Sequence, residues 1–112
     1  MLSRATVAFA ALSCVTACAQ YRDSQLFGTW NVPYEKGVTA RITFKPDHTF
    51  DFYYHKGRVI DRESGPWYIR DDRLFTHFPR LPWNDDEIRK VTADQIEIFE
   101  GGDNYVTYTR IR

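Results

Sequence analysis

Downstream of residue 20, apolar and polar residues alternate along most of the chain, and turn-forming residues interrupt the alternation about every eight to twelve positions. A strand with one buried face repeats every two residues, so this spacing predicts short antiparallel strands joined by tight turns. The clearest unit is a hairpin. Val38, Ala40, Ile42 and Phe44 fall on one face, and Thr39, Arg41, Thr43 and Lys45 on the other. Beyond Pro46-Asp47-His48, the residues Phe50, Phe52 and Tyr54 alternate with Asp51, Tyr53 and His55. Pro46 presets the first turn dihedral, Asp47 suits the next position, and His48 takes the left-handed position where glycine is commoner. Closing the loop this way sets Phe44 opposite Phe50 and Ile42 opposite Phe52.

A second hairpin is predicted over residues 67–76, where a two-residue turn at Asp71-Asp72 pairs Ile69 with Leu74 and leaves Trp67 on the same face. Further strands are expected at 27–32, weakly near 58–62, and at 88–92, 95–100 and 104–111, giving eight or nine in all. No ten-residue window carries a helical stripe. The fold class is therefore all-β, an antiparallel up-and-down meander, and curling it into a small barrel removes its exposed edges. The inward positions are Trp30, Ile42, Phe44, Phe50, Phe52, Tyr54, Trp67, Ile69, Leu74, Ile96 and Ile98. A barrel of eight strands is just wide enough for side chains to fill. Residues this bulky predict a plugged interior with at most a shallow mouth.

The alternation does not extend to the start of the chain. Residues 1–4 carry one positive charge, at Arg4, and residues 5–19 are an uncharged run of apolar and small side chains. This is the pattern of an export signal, and a run of about fifteen residues is shorter than the roughly twenty needed to span a bilayer as a helix. Two processing readings fit its end. Val15-Thr16-Ala17-Cys18 resembles a bacterial lipoprotein signal, which would make Cys18 the lipidated first residue of the mature protein. The small-x-small pattern Ala17-Cys18-Ala19 would instead release a soluble periplasmic or secreted protein beginning at Gln20. The lipoprotein reading divides the chain into a signal peptide at 1–17, a short linker at 18–25 and a barrel domain at 26–112. Ala19 and Gln20, with no Asp after Cys18, resemble the sorting pattern of outer-membrane lipoproteins facing the periplasm.

Composition narrows the remaining classes. At 112 residues there is room for one core. Fifteen basic residues balance fifteen acidic ones, which excludes the electrostatic footprint of a nucleic-acid partner. Both cysteines, Cys14 and Cys18, lie in the leader, so no intramolecular disulfide holds the domain. Of the aromatic residues, 16% of the chain, only Phe9 falls in the signal; the rest are available to fill a barrel.

Three segments resemble the lipocalin-like domains of small bacterial envelope lipoproteins. Gly28-Thr29-Trp30 is similar to the Gly-x-Trp that opens a lipocalin barrel. Residues 42–50 are similar to the family's Phe-x-x-Asp-Gly-Thr-Phe hairpin, with His48 in place of the glycine. Tyr108-Thr109-Arg110 stands where lipocalins place an arginine across the opening tryptophan. The resemblance implies that Gly28, Trp30 and Arg110 close one barrel end, with the guanidinium laid over the indole face.

For function, the proline-stiffened stretch 78–86 reads as a loop that either presents Arg80, Leu81 and Trp83, Trp and Arg being enriched at binding hot spots, or folds Leu81 and Trp83 back as a lid over the barrel end. Tyr53 and Tyr68 face outward with Phe75, Arg41 and His55 as a second candidate surface. Catalysis finds little support. His48, His55 and His77 are separated and lack metal-ligand spacing, so no metal or cofactor is expected. The acidic groups Asp71-Asp72 and Asp85-Asp86-Glu87 read as turn residues. A same-face carboxylate pair such as Asp61 with Glu63 could serve a small secreted hydrolase, a remote alternative. The sequence thus points to a monomeric, exported, lipid-anchored and non-catalytic binding or interaction module of the bacterial envelope. Its expected membrane contact is the N-terminal lipid, and its expected partner is an envelope protein or a small apolar ligand. The alternative is a carrier of a small apolar ligand in the barrel mouth.

Overall fold

A computed structural model describes residues 20–112, so the expectations for the signal peptide, its cleavage and Cys18 lie outside the described residues. A helical turn, α1 (Asp23–Leu26), precedes eight strands: β1 (Gly28–Asn31), β2 (Val38–Phe44), β3 (Thr49–Lys56), β4 (Val59–Arg70), β5 (Arg73–His77), β6 (Trp83–Val91), β7 (Gln95–Phe99) and β8 (Tyr105–Arg110). Each strand pairs antiparallel with the next, and β8 returns to β1 through Trp30↔Arg110 and Asn31↔Thr109. The result is a closed eight-stranded barrel in meander order.

The two hairpins have the registers expected from their turns. Phe44 faces Phe50 and Ile42 faces Phe52, and His48 takes a φ of 66°. The Asp47 carboxylate accepts from the Thr49 backbone N–H at 2.9 Å and its hydroxyl at 2.6 Å. Ile69 faces Leu74 across Asp71 and Asp72, whose φ values of 54° and 58° give the left-handed pair that matches strand twist.

Two boundaries differ from the sequence expectation. The weak strand near 58–62 and the strand beginning at Trp67 are one continuous β4, which makes the count eight. Its first part, Val59 to Pro66, pairs with β3, and its last part, Trp67 to Arg70, pairs with β5. Gly65 lies at this changeover, where a Cβ would meet the His77 carbonyl oxygen at 1.9 Å. The second difference is that β6 begins at Trp83, so the expected 78–86 loop contracts to 78–82 and Asp85-Asp86-Glu87 lie on a strand rather than in a turn. Acidic residues disfavour strands on their own. Here cross-strand partners override that preference: Arg73 sits opposite Glu87 and its Nε reaches Asp85 Oδ1 at 2.5 Å, while Trp83 stacks on His77 at 5.0 Å.

The barrel is filled at one end. Trp30, Trp67, Phe44, Phe50, Leu26, Ile96 and Ile98 are fully buried. Trp67 packs edge-on against Phe44 at 5.0 Å and Phe27 at 6.2 Å. Segment α1 covers this base: its last residue, Leu26, is buried, and the Leu26 carbonyl accepts the Trp30 indole N–H at 2.8 Å. Arg110 lies 4.2 Å from the Trp30 ring centre and donates to the carbonyls of Phe27, Gln25 and Ala93. Gly28 adopts a φ of 121°, and a Cβ there would lie 2.6 Å from Arg110 Nη1. The opening glycine therefore makes room for the guanidinium.

Candidate functional site

At the other end the inward positions change character. Leu74 faces Asp86 and Thr76 faces Asn84 across β5 and β6, while Ile96 faces Tyr108 and Ile98 faces Val106 across β7 and β8. Strand alternation then turns Thr76, Asn84, Asp86, Val106 and Tyr108 inward, and most of these are smaller or more polar than the residues of the base. They enclose a cavity of about 380 Å³ at the barrel mouth. Ile42, Phe52 and Leu74 line its apolar side, and Val32, Pro33 and Tyr34 border it as the chain leaves β1. Phe78 closes another side, packed against Phe50 at 4.8 Å and Phe52 at 5.3 Å. Tyr34 meets Tyr54 edge-on at 5.8 Å. The expected plug thus fills the base but not the mouth, because Thr76, Asn84 and Val106 do not supply the volume that Trp67 and Phe50 supply below.

Charge in the mouth is one-signed. Asp86 and Glu100 line it, no Lys, Arg or His does, and among the described residues neither carboxylate forms an ion pair. Glu100 accepts from Asn104 Nδ2 at 2.9 Å. Burial, then the charges of Glu100 and Asp85, push the Asp86 carboxyl up to about 6, with Arg73 opposing. Burial also raises the Tyr108 phenol, with Asp86, Glu100 and Tyr34 adding to the shift. Tyr34 is raised by burial and by Tyr54, Glu100 and Glu63.

These shifts make stability depend on pH. Between the ordinary aspartate value of 3.8 and about 6, the folded protein holds an Asp86 proton that the unfolded chain has released. Stability therefore falls as pH rises across that window. Full enclosure would make the displacement worth about 3 kcal/mol, and the solvent at the open mouth reduces it to about 1 kcal/mol. Asp86→Asn is expected to gain about that much at pH 8 and nothing at pH 3, where both states are protonated. Urea unfolding at the two pH values checks it, and an equal gain at both would rule out carboxylate burial as the cause.

The other candidate residues lie outside the barrel. Arg80, at a φ of 70°, and Leu81, 55% exposed, sit in the 78–82 connection. Trp83 stands on β6 and is 44% exposed, with its ring 5.4 Å from Tyr68, which in turn stacks on Phe75 at 4.6 Å and 10°. Tyr68, Phe75, Trp83 and His77 thus form one outer aromatic strip across β4, β5 and β6. Tyr53 belongs to a different surface, between Arg41 at 5.0 Å and Arg62 at 5.3 Å, beside an open groove over β2 to β4. Sequence reasoning left Tyr34, Glu100 and Tyr108 out of its candidate sites and read Asp86 as a turn residue. The available signal was the alternation Asn84, Asp86, Ile88, which places Asp86 inward once β6 starts at Trp83.

Among the described residues no group of three or more His, Cys, Asp or Glu side chains could hold a metal ion. No family model and no curated protein matches the chain. The fold is similar to that of a protein from Bacteroides thetaiotaomicron solved by NMR, with a TM-score of 0.62 at 16% identity, covering 81% of this chain and 93% of that one. At that identity the likeness establishes the barrel architecture alone.

Proposed function

We propose that the protein is an exported, lipid-anchored barrel of the bacterial envelope that acts as a non-catalytic binding module and takes a small ligand in its mouth. The observation that carries this reading is the 380 Å³ cavity, walled by aromatic rings and built on a filled base. Concave sites of a few hundred Å³ with a few polar groups are the usual form of small-molecule sites. The Val15-Thr16-Ala17-Cys18 signal supports the lipid anchor and an outer-membrane, periplasm-facing address, and Gly28-x-Trp30 supports the lipocalin-like assignment. The outer strip of Tyr68, Phe75 and Trp83 supports a second reading, an envelope protein docking on the barrel wall, because stacked, half-exposed aromatic rings suit a protein interface.

Native mass spectrometry of protein purified from its own envelope separates the two. Bound small-molecule adducts are expected; Val106→Trp, which fills the mouth, should remove them, and Trp83→Ala should not. Adducts that persist in Val106→Trp would place the ligand elsewhere. The same spectra report the N-terminus, and an unmodified chain beginning at Gln20 would end the lipid-anchor reading.

A further inference from the structure

We infer that the mouth selects a small organic cation, an amine or ammonium group carried on an apolar body, held by Asp86 and Glu100 among the rings of Tyr34, Phe52, Phe78 and Tyr108. This inference rests on the reading of the mouth as a binding site and names the chemistry that site would accept.

Three observations lead to it. First, the whole chain balances fifteen basic against fifteen acidic residues, yet every charged side chain lining the cavity is acidic. An anionic ligand would meet two carboxylates and no counter-charge, whereas a cation would supply the counter-charge that Asp86 and Glu100 lack among the described residues. Second, the carboxylates share the cavity with four aromatic rings, whose faces attract a cation electrostatically and whose bodies cover an apolar one. Third, Tyr108 is half-buried in the wall, and none of the side-chain hydrogen bonds among the described residues uses its hydroxyl. That hydroxyl is free to accept from an ammonium N–H. A metal ion is a poorer match, because two carboxylates and one amide fall short of the six to eight oxygens that Ca²⁺ takes.

The test is a charge series on one skeleton: phenethylamine, 2-phenylethanol and 3-phenylpropionate, titrated into ¹⁵N-labelled full-length protein and followed by NMR at the mouth residues. Phenethylamine is expected to bind about tenfold or more tighter than the alcohol, the range of a charge-assisted hydrogen bond, and the propionate to bind weakest. Asp86→Asn should shrink the preference for the amine over the alcohol to about threefold or less, and Trp83→Ala should leave that preference in place. Lowering the pH from about 7.5 to about 5 should erode the preference too, as Asp86 takes up a proton. The groups facing Asp86 across that range are Glu100, Tyr108 and Tyr34, with Asp85 and Arg73 beside it. Equal binding of amine and alcohol would overturn the cation inference and leave the mouth as a binding site. Mouth resonances that none of the three compounds shifts would overturn both.

Discussion

Replacing Trp30 with alanine is expected to destabilise the protein by about 3 to 5 kcal/mol, the cost of truncating a buried tryptophan in a core that cannot collapse around the void. Trp30 has no exposed surface. Its loss would empty the base of the barrel beneath α1 and remove the indole N–H that satisfies the Leu26 carbonyl at 2.8 Å. The Arg110 guanidinium, 4.2 Å from the ring, would lose its aromatic face while its bonds to Phe27, Gln25 and Ala93 hold it over the hole. Two of those carbonyls precede β1 and the third lies in the turn after β6, so Arg110 ties three segments together at the point where Trp30 pairs with it across β1 and β8. Trp30→Phe keeps most of the volume and forfeits the hydrogen bond, and about 1 to 2 kcal/mol is expected for it. Equilibrium urea unfolding followed by circular dichroism measures both. A loss below about 1 kcal/mol for Trp30→Ala would show that the base does not depend on this ring.

The parts of this fold that were legible in the sequence are those decided by neighbouring residues. His48 and the Asp71-Asp72 pair fix their turns locally, and once a turn is fixed the registers of Phe44 with Phe50 and Ile69 with Leu74 follow from counting. The inward list for the base follows from the same period of two. What was not legible depends on contacts between strands that are distant in sequence. The expected strands near 58–62 and from Trp67 leave residues 63–66 between them, where Gly65 and Pro66 weaken strands, yet β4 runs through by changing partners there. Trp83 to Glu87 reads as a loop because its acids and nearby prolines favour turns, yet Arg73 and His77 on β5 hold it straight. Misplacing that one boundary hid the mouth. With β6 beginning at residue 88, Asp86 has no inward direction and cannot meet Glu100 or Tyr108. The outer aromatic strip shows the same limit: Trp83 was separable as an exposed aromatic, but its contact with Tyr68 depends on the same strand.

Gly65→Ala tests the changeover in β4 directly and is expected to cost about 3 kcal/mol or more, at the upper end of overpacking penalties. Its φ is outside the left-handed region, so the effect is steric and not conformational. A Cβ at this position would lie 1.9 Å from the His77 carbonyl oxygen and 3.2 Å from Phe50 Cε2. The first neighbour is backbone and cannot rotate away. Relief requires the end of β5 to move off β4, which strains the adjoining Trp67↔Thr76 pair and the Phe50 contact with Phe78. Gly57→Ala is the matched control, since its φ of 60° carries a conformational cost of about 1 kcal/mol but no atom lies within 4 Å of the added carbon. Urea unfolding should therefore rank Gly65→Ala well below Gly57→Ala, and amide exchange in Gly65→Ala should accelerate at Thr76 and His77 before it does at Ile96 and Ile98. Equal stability of the two variants would mean that β5 can move aside freely. The consequence reaches the mouth, because Thr76 and Phe78 line it on either side of His77. A methyl group at residue 65, outside the cavity lining, should therefore weaken phenethylamine binding by displacing two of its walls.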